Sequence, residues 1–370
     1  MRYYTWFLKL IFTRFLTMWF LLWNTAPALS AKSLDICYPY NAIQYATRGA
    51  TEILLNTQDI LAKGTLPRED AHHDPDAALL NHTITMAVTT TAVNPGAMLK
   101  AWLEYHLRRF DFIMVFIDDP SERTLFETIR HELHNDTRIM LLDGYPDRSD
   151  MSPSGVMNRQ NSNTQVAVDI ALQNNITWLL HIDSDELFYE PDGDRSWQTL
   201  EGVDHVTFLN HEAIPLAHKV TNPFLECTLF KVNGRLEFIA YGNGKSAVRL
   251  APGVQSWGVH AFTGYNGEHI DMREHGTLQS PVILHYPNVC FESWVQKYKS
   301  YGRFSSFWFD DPTQVLTLTF MLESRDQLHK ALENGKWEEA REFFNSMIPD
   351  REACERMLKK GDLRRYTPLE

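Results

Sequence analysis

Two carboxylates in the middle of the chain directly follow an apolar run. Asp183 and Asp185 come after WLLHI, at Trp178 to Ile182, and Glu186 follows them at once. Two carboxylates at the end of a buried strand can bind a hard divalent cation, which in turn binds diphosphate oxygens. Asp-x-Asp occurs twice more, among Pro, Gly and polar residues that predict loops: Asp74-Pro75-Asp76 and Asp192-Gly193-Asp194. We therefore predict a Mn²⁺ or Mg²⁺ site at Asp183 and Asp185, with a solvated strand end as the alternative.

A histidine is the candidate for a third metal ligand. His285 ends an apolar, strand-like run and precedes Tyr286-Pro287, so its imidazole can complete the metal site or contact a diphosphate. His260 competes for the same assignment. A histidine after a strand is also commonly a hydrogen-bonded core residue, and this interpretation stays open for both.

Two basic residues lie close together later in the chain. Lys245 and Arg249 are four residues apart and follow Gly242-Asn243-Gly244. Ammonium and guanidinium groups bind phosphate oxygens, so the pair is predicted to contact a diphosphate. A basic hairpin in solvent is the competing interpretation.

Hydrophobic periodicity predicts the elements that carry these residues. Alternating or unbroken apolar runs predict strands, and apolar residues at helical spacing predict helices. The strands are predicted at 84–88, 112–117, 138–142 and 178–182, with helices at 99–110 and 166–172. Further strand patterns, with fewer helices between them, lie at 205–209, 238–241 and 282–285.

The last part of the chain has a helical pattern from about Pro312. Breaks are predicted near Asn334-Gly335 and Pro349. The apolar residues predicted to face inward are Leu328, Leu332, Trp337 and Phe343 to Phe344.

This order of elements predicts an α/β fold, with a mixed sheet flanked by helices and a helical C-terminal tail. In such folds the ligand crevice lies beyond the carboxyl ends of the strands. Three of the predicted strands end in an aspartate: Asp118, Asp143 and Asp183. The predicted crevice is therefore lined by carboxylates.

The N-terminal segment has the composition of a targeting signal. Arg2, Lys9 and Arg14 precede an uncharged stretch from Phe15 to Ala31. These 17 residues are at the lower limit for spanning a bilayer, and Ala26-Pro27-Ala28 provides a small-x-small cleavage site. The segment can be interpreted either as a signal anchor or as a cleaved signal peptide. Basic residues before the apolar stretch predict that the rest of the chain enters the lumen.

The chain is accordingly divided into a targeting segment at 1–31, a stem at 32–82, a catalytic domain at 83–311 and a helical extension at 312–370. The predicted location is the ER or Golgi lumen, as a single-pass type II membrane protein or a secreted one. Three glycosylation sequons agree with this location, at Asn81, Asn135 and Asn175.

Overall composition excludes several classes of protein. A 370-residue chain with 44% hydrophobic residues is long enough to bury a large core. Its formal net charge of -12 lacks the basic surplus that nucleic-acid binding requires. The four cysteines include no Cys-x-x-Cys pair, which argues against a zinc site but leaves one or two disulfides possible.

Several segments resemble GT-A fold (Rossmann-like) glycosyltransferases of the branch around families 2 and 92. The resemblance begins with TWLLHIDSDELFY at Thr177 to Tyr189, which is similar to the metal-binding segment of that branch. The region from Ala87 to Ser121 resembles its opening unit, although it departs from the pattern at Asn94-Pro95, Ala101 and Phe110. Later similar blocks follow in the same order: 243–249, 258–262 and 283–304.

The resemblance implies a function and a set of site residues. It implies a metal-dependent enzyme that takes a nucleotide-sugar donor and a glycan or glycoconjugate acceptor. The donor-binding positions are Thr90, Asp118, Gln160, Asp183, Lys245 and Arg249, with Arg159 beside Gln160. The implied metal ligands are Asp183, Asp185 and His285.

Transfer to a hydroxyl with inversion needs a carboxylate base near the anomeric carbon of the donor. Glu212, in LNHEAIP, is the first candidate, and Glu186 and Asp271 are alternatives. Three aromatic residues at helical spacing could line a sugar-binding wall or pack in the core: Trp294, Tyr298 and Tyr301.

Two other functions remain as alternatives. Phosphatases of the haloacid dehalogenase type also place Asp-x-Asp after an apolar strand, but their motif has Thr or Val where this chain has Leu187. A carbohydrate-binding protein with the same fold and no activity is the stronger alternative, because fold does not determine function.

Overall fold

A computed structural model describes residues 84–96, 98–193, 195–272, 280–306 and 319–370. Several sequence predictions lie outside the described residues: the targeting segment, the stem, Cys37, Asp74-Pro75-Asp76, the sequon at Asn81 and Asp194. In the described part of the chain, no helix is both long and apolar enough to cross a membrane. The cysteines of this part, Cys227, Cys290 and Cys354, are free thiols.

The first half of the structure alternates strands and helices, as the apolar periodicity predicts. Its elements are β1 (Met86–Ala92), α1 (Met98–Leu107), β2 (Phe112–Ile117), α2 (Arg123–Glu132), β3 (Ile139–Asp143), α3 (Pro153–Gln173) and β4 (Trp178–His181). A short 3₁₀ turn, Pro120–Glu122, precedes α2.

The second half contains mostly short strands, followed by helices and a last strand. Its strands are β5 (Glu186–Tyr189), β6 (Val203–Phe208), β7 (Asn210–Ala213), β8 (Leu229–Lys231), β9 (Lys245–Arg249), β10 (Gln255–Trp257), β11 (Ala261–Thr263), β12 (Glu268–Asp271), β13 (Val282–His285) and β14 (Leu363–Arg365). Its helices are α4 (Pro223–Glu226), α5 (Phe291–Tyr301), α6 (Thr319–Asn334), α7 (Trp337–Asn345) and α8 (Arg351–Lys360). Two 3₁₀ turns, Pro191–Gly193 and Ser196–Thr199, lie between β5 and β6.

The larger sheet has seven strands in the order β12-β6-β9-β4-β1-β2-β3. Strands β1 to β4 are parallel, whereas β9 is antiparallel to both of its neighbours, β4 and β6. The chain adds β2 and β3 on one side of β1 and then places β4 on the other side. The strand order therefore reverses between β1 and β4, and ligands of open α/β sheets bind at such a reversal.

Helices cover both faces of this sheet. Alternate strand residues enter different cores, as the pleat requires. Leu180 belongs to one apolar cluster together with Trp102 of α1, and Leu179 belongs to another together with Ala167 of α3. The described structure is thus a mixed α/β sheet flanked by helices, as predicted.

A second sheet has five strands in the order β14-β8-β7-β13-β5. Its strand β5 begins just after Asp183, at the end of the first sheet's β4. Its register aligns four polar residues across adjacent strands: Glu186 pairs with His285, His285 with Glu212, and Glu212 with Lys231. Residues directly opposite each other lie on the same face of a sheet. This polar row lies directly beside the Asp183 to Asp185 turn.

The C-terminal helices form their own apolar cluster and then return to the second sheet. Trp294 of α5 packs with Leu328 of α6 and Phe344 of α7. The chain then adds β14 to β8, so the tail is not purely helical. Helix α6 ends at Asn334 and Gly335 follows with φ of 69°, which confirms the predicted break.

Two sequence predictions about these elements are wrong. Residues 238–241 form no strand, because the backbone N–H groups of Ile239 and Ala240 donate to the Glu212 carboxylate instead of to a neighbouring strand. Leu332 and Trp337 are 44% and 42% exposed, so they do not face the core that buries Leu328.

Candidate functional site

The Asp183-Ser184-Asp185 turn connects β4 to β5 and thereby joins the two sheets. Its conformation is held by Glu186: the Asp183 N–H donates to Glu186 Oε2 at 2.7 Å, and Trp102 Nε1 donates to the Glu186 carbonyl at 2.8 Å. The Tyr286 N–H donates to the Asp185 carbonyl at 2.9 Å. The two aspartates are therefore presented on a backbone that both sheets support.

The Asp183 carboxylate is bound through both of its oxygens. Gln160 Nε2 donates to Oδ1 at 2.8 Å, and Lys245 Nζ donates to Oδ2 at 2.8 Å. Burial by itself would raise the pKa of this carboxyl, but the charge and the hydrogen bond of Lys245 outweigh that effect and lower its pKa well below the usual range. Asp183 is consequently ionised.

Gln160 reaches Asp183 because of where α3 begins. The helix begins after Ser152, whose hydroxyl accepts from the Gly155 N–H, and Pro153 occupies its first turn. Gln160 then lies two turns into the helix, over the carboxyl end of β4. Gln160 therefore contacts the predicted metal-binding turn, and its predicted place in a donor pocket stays a prediction.

Asp185 faces a second lysine. Lys297 Nζ of α5 lies 3.5 Å from Asp185 Oδ2 and donates to the Pro287 carbonyl at 3.2 Å. Burial would lower the pKa of Lys297, but the Asp185 charge reverses this and raises it. His285 Nε2 lies 3.8 Å from Asp185 Oδ1. Asp185 is 25% exposed, so it remains accessible from solvent.

Two buried histidines, His181 and His285, and the half-buried His260 surround the turn, and desolvation lowers the pKa of all three. The pKa of His181 and of His285 is lowered to about 4, and that of His260 to about 3. The ring of Tyr241 lies between His260 and His285, with centroid separations of 4.6 Å and 4.8 Å. Neutral imidazoles are the form in which histidine binds a metal.

Lys245 and Arg249 lie at opposite ends of β9. Arg249 pairs with Trp178 at the beginning of β4, where its Nε lies 3.0 Å from Asp204 Oδ1. Four residues of extended strand separate the two Cα atoms by about 13 Å. The prediction that both contact one diphosphate is therefore wrong for Arg249, because the spacing that brings two residues together on a helix separates them on a strand.

Neither predicted base has an open carboxylate. Glu212 is completely buried, and its oxygens accept from Lys231 Nζ at 3.0 Å and from the N–H groups of Ile239 and Ala240 at 2.9 Å each. Glu186 is also completely buried; burial raises its pKa well above the usual value. The contacts of Glu212 are those of a residue that holds the 238–241 loop in place.

The predicted donor pocket beyond β1 and β2 contains a buried ion pair. Arg159 Nε donates to Asp118 Oδ1 at 2.6 Å and Arg148 Nε lies 3.3 Å from Oδ2. Thr90 is buried, and its hydroxyl has no hydrogen-bond partner among the described residues. Asp118 is thus already neutralised by arginine, while Arg148 keeps 25% of its side chain exposed at this edge.

The predicted aromatic wall belongs mainly to the core. Trp294 and Tyr298 are buried, and Trp294 Nε1 donates to Ser324 Oγ at 3.0 Å. Only Tyr301 of the three is partly exposed. The helical spacing of these residues therefore reflects the packing of α5 against α6 and α7.

The predicted ligand set fits a divalent ion only in part. Asp185 and His285 are close enough to share an ion, whereas each Asp183 oxygen already accepts a hydrogen bond, from Gln160 or from Lys245. Across the described ranges, no group of three or more His, Cys, Asp and Glu side chains is arranged to hold a metal. Mn²⁺ or Mg²⁺ as cofactor stays a prediction, with Asp185 and His285 as the residues that fit it.

Three contributors to the site were not predicted in these roles. Lys297 lies 112 residues from Asp185 in the chain, and only the docking of α5 brings them together. Tyr241 is likewise placed by tertiary structure, whereas His181 lies only two residues before Asp183. The one available signal was that His181 lies within the apolar run that delivers Asp183.

No protein-family model matches the chain. Glycosyltransferase-like At3g57200 of Arabidopsis thaliana is 26% identical over 241 residues, which cover 57% of this chain and 45% of that protein. Glycosyltransferase-like At2g41451 of the same plant is 29% identical over 154 residues, which cover 35% of this chain and 33% of that protein. The chain thus spans less than half the length of these curated relatives.

Solved structures give a weaker likeness. S. aureus TarS 1–349 in complex with UDP aligns with 75% of this chain and 92% of that chain, at 11% identity and a TM-score of 0.29. The same protein with UDP-GlcNAc gives 10% identity and a TM-score of 0.29. Such scores carry no weight for the function of this chain. The chain is therefore similar in sequence to glycosyltransferase-like proteins, over a little more than half of its length at most.

Proposed function

We propose that this chain is a glycosyltransferase that binds a nucleotide-sugar donor at the Asp183 to Asp185 turn and transfers the sugar, with inversion, to a hydroxyl of a glycan or glycoconjugate. The observation that carries the proposal is the position of this turn. It lies at the carboxyl end of β4, where the strand order reverses, and both aspartates keep part of their surface exposed, 22% for Asp183 and 25% for Asp185.

Two further observations support the proposal. At the edge beyond β2, Arg148 pairs with Asp118 and Asp119 but keeps a quarter of its side chain exposed, so its remaining N–H groups can donate to a polar ligand. The two plant proteins that resemble this chain are both named glycosyltransferase-like.

In this proposal the chain contributes mainly binding and charge. Asp183 and Asp185 orient polar groups of the donor, and Lys297 supplies positive charge beside Asp185. A divalent cation at Asp185 and His285 would add positive charge for the diphosphate. The acceptor oxygen bonds to the anomeric carbon, the bond from that carbon to the diphosphate oxygen breaks, and the acceptor proton passes to a base.

A carbohydrate-binding protein without activity is the second candidate, and one observation favours it. Two of the three predicted bases, Glu186 and Glu212, are completely buried, so neither carboxylate reaches the surface where an acceptor would arrive. The two candidates differ in turnover: an enzyme hydrolyses or transfers the donor sugar slowly even without its best acceptor, and a binding protein does not.

Thermal unfolding with a panel of nucleotide-sugars, with and without Mn²⁺, tests the proposal. A ligand that binds the native state raises the unfolding midpoint by an amount set by its concentration relative to its Kd. We expect one nucleotide-sugar to raise the unfolding midpoint of the wild type, and Asp185→Ala to abolish this rise when each protein is compared with its own ligand-free midpoint. Asp326→Ala, on the exposed side of α6, is the matched control. If no nucleotide-sugar stabilises the folded wild-type protein, the proposal is wrong.

A further inference from the structure

Strands β10 and β11 form an antiparallel hairpin at the edge of the proposed site. The Val259 carbonyl, in the turn of this hairpin, accepts from Lys245 Nζ at 3.1 Å and lies 3.1 Å from His181 Nδ1. Lys245 Nζ also donates to Asp183 at 2.8 Å. The hairpin turn is therefore in contact with the side chains that surround the Asp183 to Asp185 turn.

One face of the hairpin packs on α3. Side chains alternate between the two faces of a strand, and Ser256 of β10 lies on the same face as its partner Phe262 of β11. Phe262 is buried in the apolar cluster that includes residues of α3. The Ser256 N–H donates to Gln165 Oε1 at 2.9 Å, and the Ser256 hydroxyl donates to Asn161 Oδ1 at 2.8 Å. Helix α3 thus fixes the hairpin in place and leaves the other face pointing away from it.

The outward face carries a large aromatic ring with small and polar neighbours. The register pairs Trp257 with Ala261 and Gln255 with Thr263, so these four side chains share the outward face. Trp257 is 47% exposed, and Gln255 is exposed beside it. None of the four side chains is charged. The outward face is therefore an indole ring bordered by an amide and a hydroxyl, within reach of solvent and close to the proposed site.

This composition fits a sugar ring better than it fits a protein surface. A pyranose has an apolar face of C–H groups and a rim of hydroxyls, which complement an aromatic ring with hydrogen-bonding neighbours. A stable protein interface buries about 800 Å² on each partner and has several apolar residues at its centre, whereas Trp257 is the one large apolar residue among these four. A charged ligand would find no opposite charge on them.

We propose that the outward face of β10 and β11 is an acceptor subsite, in which one sugar of a glycan stacks on Trp257 while the sugar that receives the transfer lies at the Asp183 to Asp185 turn. Gln255 and Thr263 supply hydrogen bonds to the hydroxyls of the stacked sugar. This inference rests on the proposed function and deepens it, because it makes the acceptor an uncharged oligosaccharide of at least two sugars.

Isothermal titration of uncharged oligosaccharides into the folded, full-length protein, without a donor, tests the proposal. The probes are gluco-, manno-, galacto- and xylo-oligosaccharides of one to four sugars. We expect at least one series to bind more tightly as its length increases, and Trp257→Ala to weaken that binding by about tenfold or more because the stacking surface is lost. Trp257→Phe keeps an aromatic face and should stay within about threefold of the wild type.

Trp337→Ala is the matched control. Trp337 is 42% exposed at the beginning of α7, in the C-terminal helices, and its removal should leave oligosaccharide affinity unchanged. A folded Trp257→Ala protein with wild-type affinity would overturn the proposal. So would a wild-type protein that binds none of the four series.

Two further measurements separate this proposal from its neighbours. If Trp257→Ala abolishes self-association of the wild type in sedimentation and no oligosaccharide binds, the outward face is a protein contact and the proposal is wrong. Because no donor is present in the titration, the proposed function is judged separately. Oligosaccharide binding that depends on Trp257, in a protein that no nucleotide-sugar stabilises, would contradict the transferase and support the sugar subsite as part of a carbohydrate-binding protein.

Discussion

At the scale of single residues, the site is a dense arrangement of opposite charges. Asp183 and Lys245 neutralise each other in the interior, and Asp185 and Lys297 do so nearer to solvent. Removing one member of a buried pair leaves the other without a partner, which costs more free energy than the pair itself contributes. The effect of a substitution here must therefore be measured on both the free energy of unfolding and the affinity for ligand.

Glu212 is the residue at which stability and catalysis can be separated most clearly. We expect Glu212→Gln to lower the free energy of unfolding by about 1 to 3 kcal/mol, because Lys231 loses its charged partner and the 238–241 loop loses an acceptor. Turnover per folded molecule should stay within about threefold. Urea unfolding and steady-state kinetics on the same preparation measure both quantities. An unchanged unfolding curve together with a loss of turnover would restore Glu212 as the base.

At the scale of elements, strand register decides which residues meet. Strand β9 runs antiparallel to β4, so its first residue, Lys245, reaches the site and its last residue, Arg249, lies beside Trp178 at the opposite edge. Register also aligns the row of polar residues across the smaller sheet: Glu186, His285, Glu212 and Lys231.

Arg249→Gln tests the consequence of this register. Arg249 contacts Asp204 and donates to the Gln198 carbonyl at 2.9 Å, so we expect the substitution to cost about 1 kcal/mol of stability. Nucleotide-sugar affinity should not change. Isothermal titration with the best donor from the panel is the measurement, and a weakening of tenfold or more would place Arg249 at the donor.

The contact between α1 and β5 predicts acid sensitivity. His106 Nδ1 lies 2.8 Å from the Trp102 carbonyl and therefore carries the proton, which leaves Nε2 to accept from the Phe188 N–H at 3.4 Å. Burial lowers the pKa of His106 to about 3, whereas an unfolded histidine titrates near 6.5. Between these values only the unfolded state binds the proton, so stability is lost as pH falls from about 6.5 toward 3.

We expect His106→Gln to make this pH dependence shallower by up to about 1.4 kcal/mol per pH unit, while lowering stability at neutral pH. His131→Gln, on the exposed surface of α2, is the matched control and should leave the slope unchanged. Unfolding midpoints between pH 7 and pH 5 provide the comparison. Parallel curves for His106→Gln and the wild type would contradict the assignment.

At the scale of the whole molecule, the described chain joins two sheets through one turn and closes with its C-terminus. The Asp183 to Asp185 turn leaves the first sheet and enters the second, and β14 returns after the helices to pair with β8. Tyr366, just beyond β14, packs edge-on against Phe230 and Tyr189. The C-terminal helical extension predicted from sequence is therefore tied to the sheet that carries His285.

The surface of the molecule allows a test of the predicted lumenal location. Asn135 and Asn175 are exposed and lie in left-handed turn conformations, with φ of 53° and 55°. We expect both to be glycosylated when the chain is expressed in a secretory host, so that endoglycosidase treatment shifts its electrophoretic mobility. Asn135→Gln and Asn175→Gln should each remove one step of that shift. A full-length product that endoglycosidase leaves unchanged would argue against entry into the secretory pathway.

The sequence alone determined those features that depend on neighbours in the chain. The apolar runs at 112–117 and 282–285 are strands with the predicted bounds, and the α/β alternation follows from periodicity. The end of α6 at Asn334 follows from Gly335, which adopts a positive φ. The sequence places Asp183 at a strand end because the buried residues of β4 come just before it.

Only the tertiary structure decided which distant residues meet that turn. Lys245 comes 62 residues after Asp183, and its contact depends on the register of β9 against β4. The same register moves Arg249 away, and the carboxylate of Glu212 turns a predicted strand into a loop. Local patterns record the solvent exposure of each residue, whereas pairing between strands is set by packing over the whole sheet, which no short stretch of sequence contains.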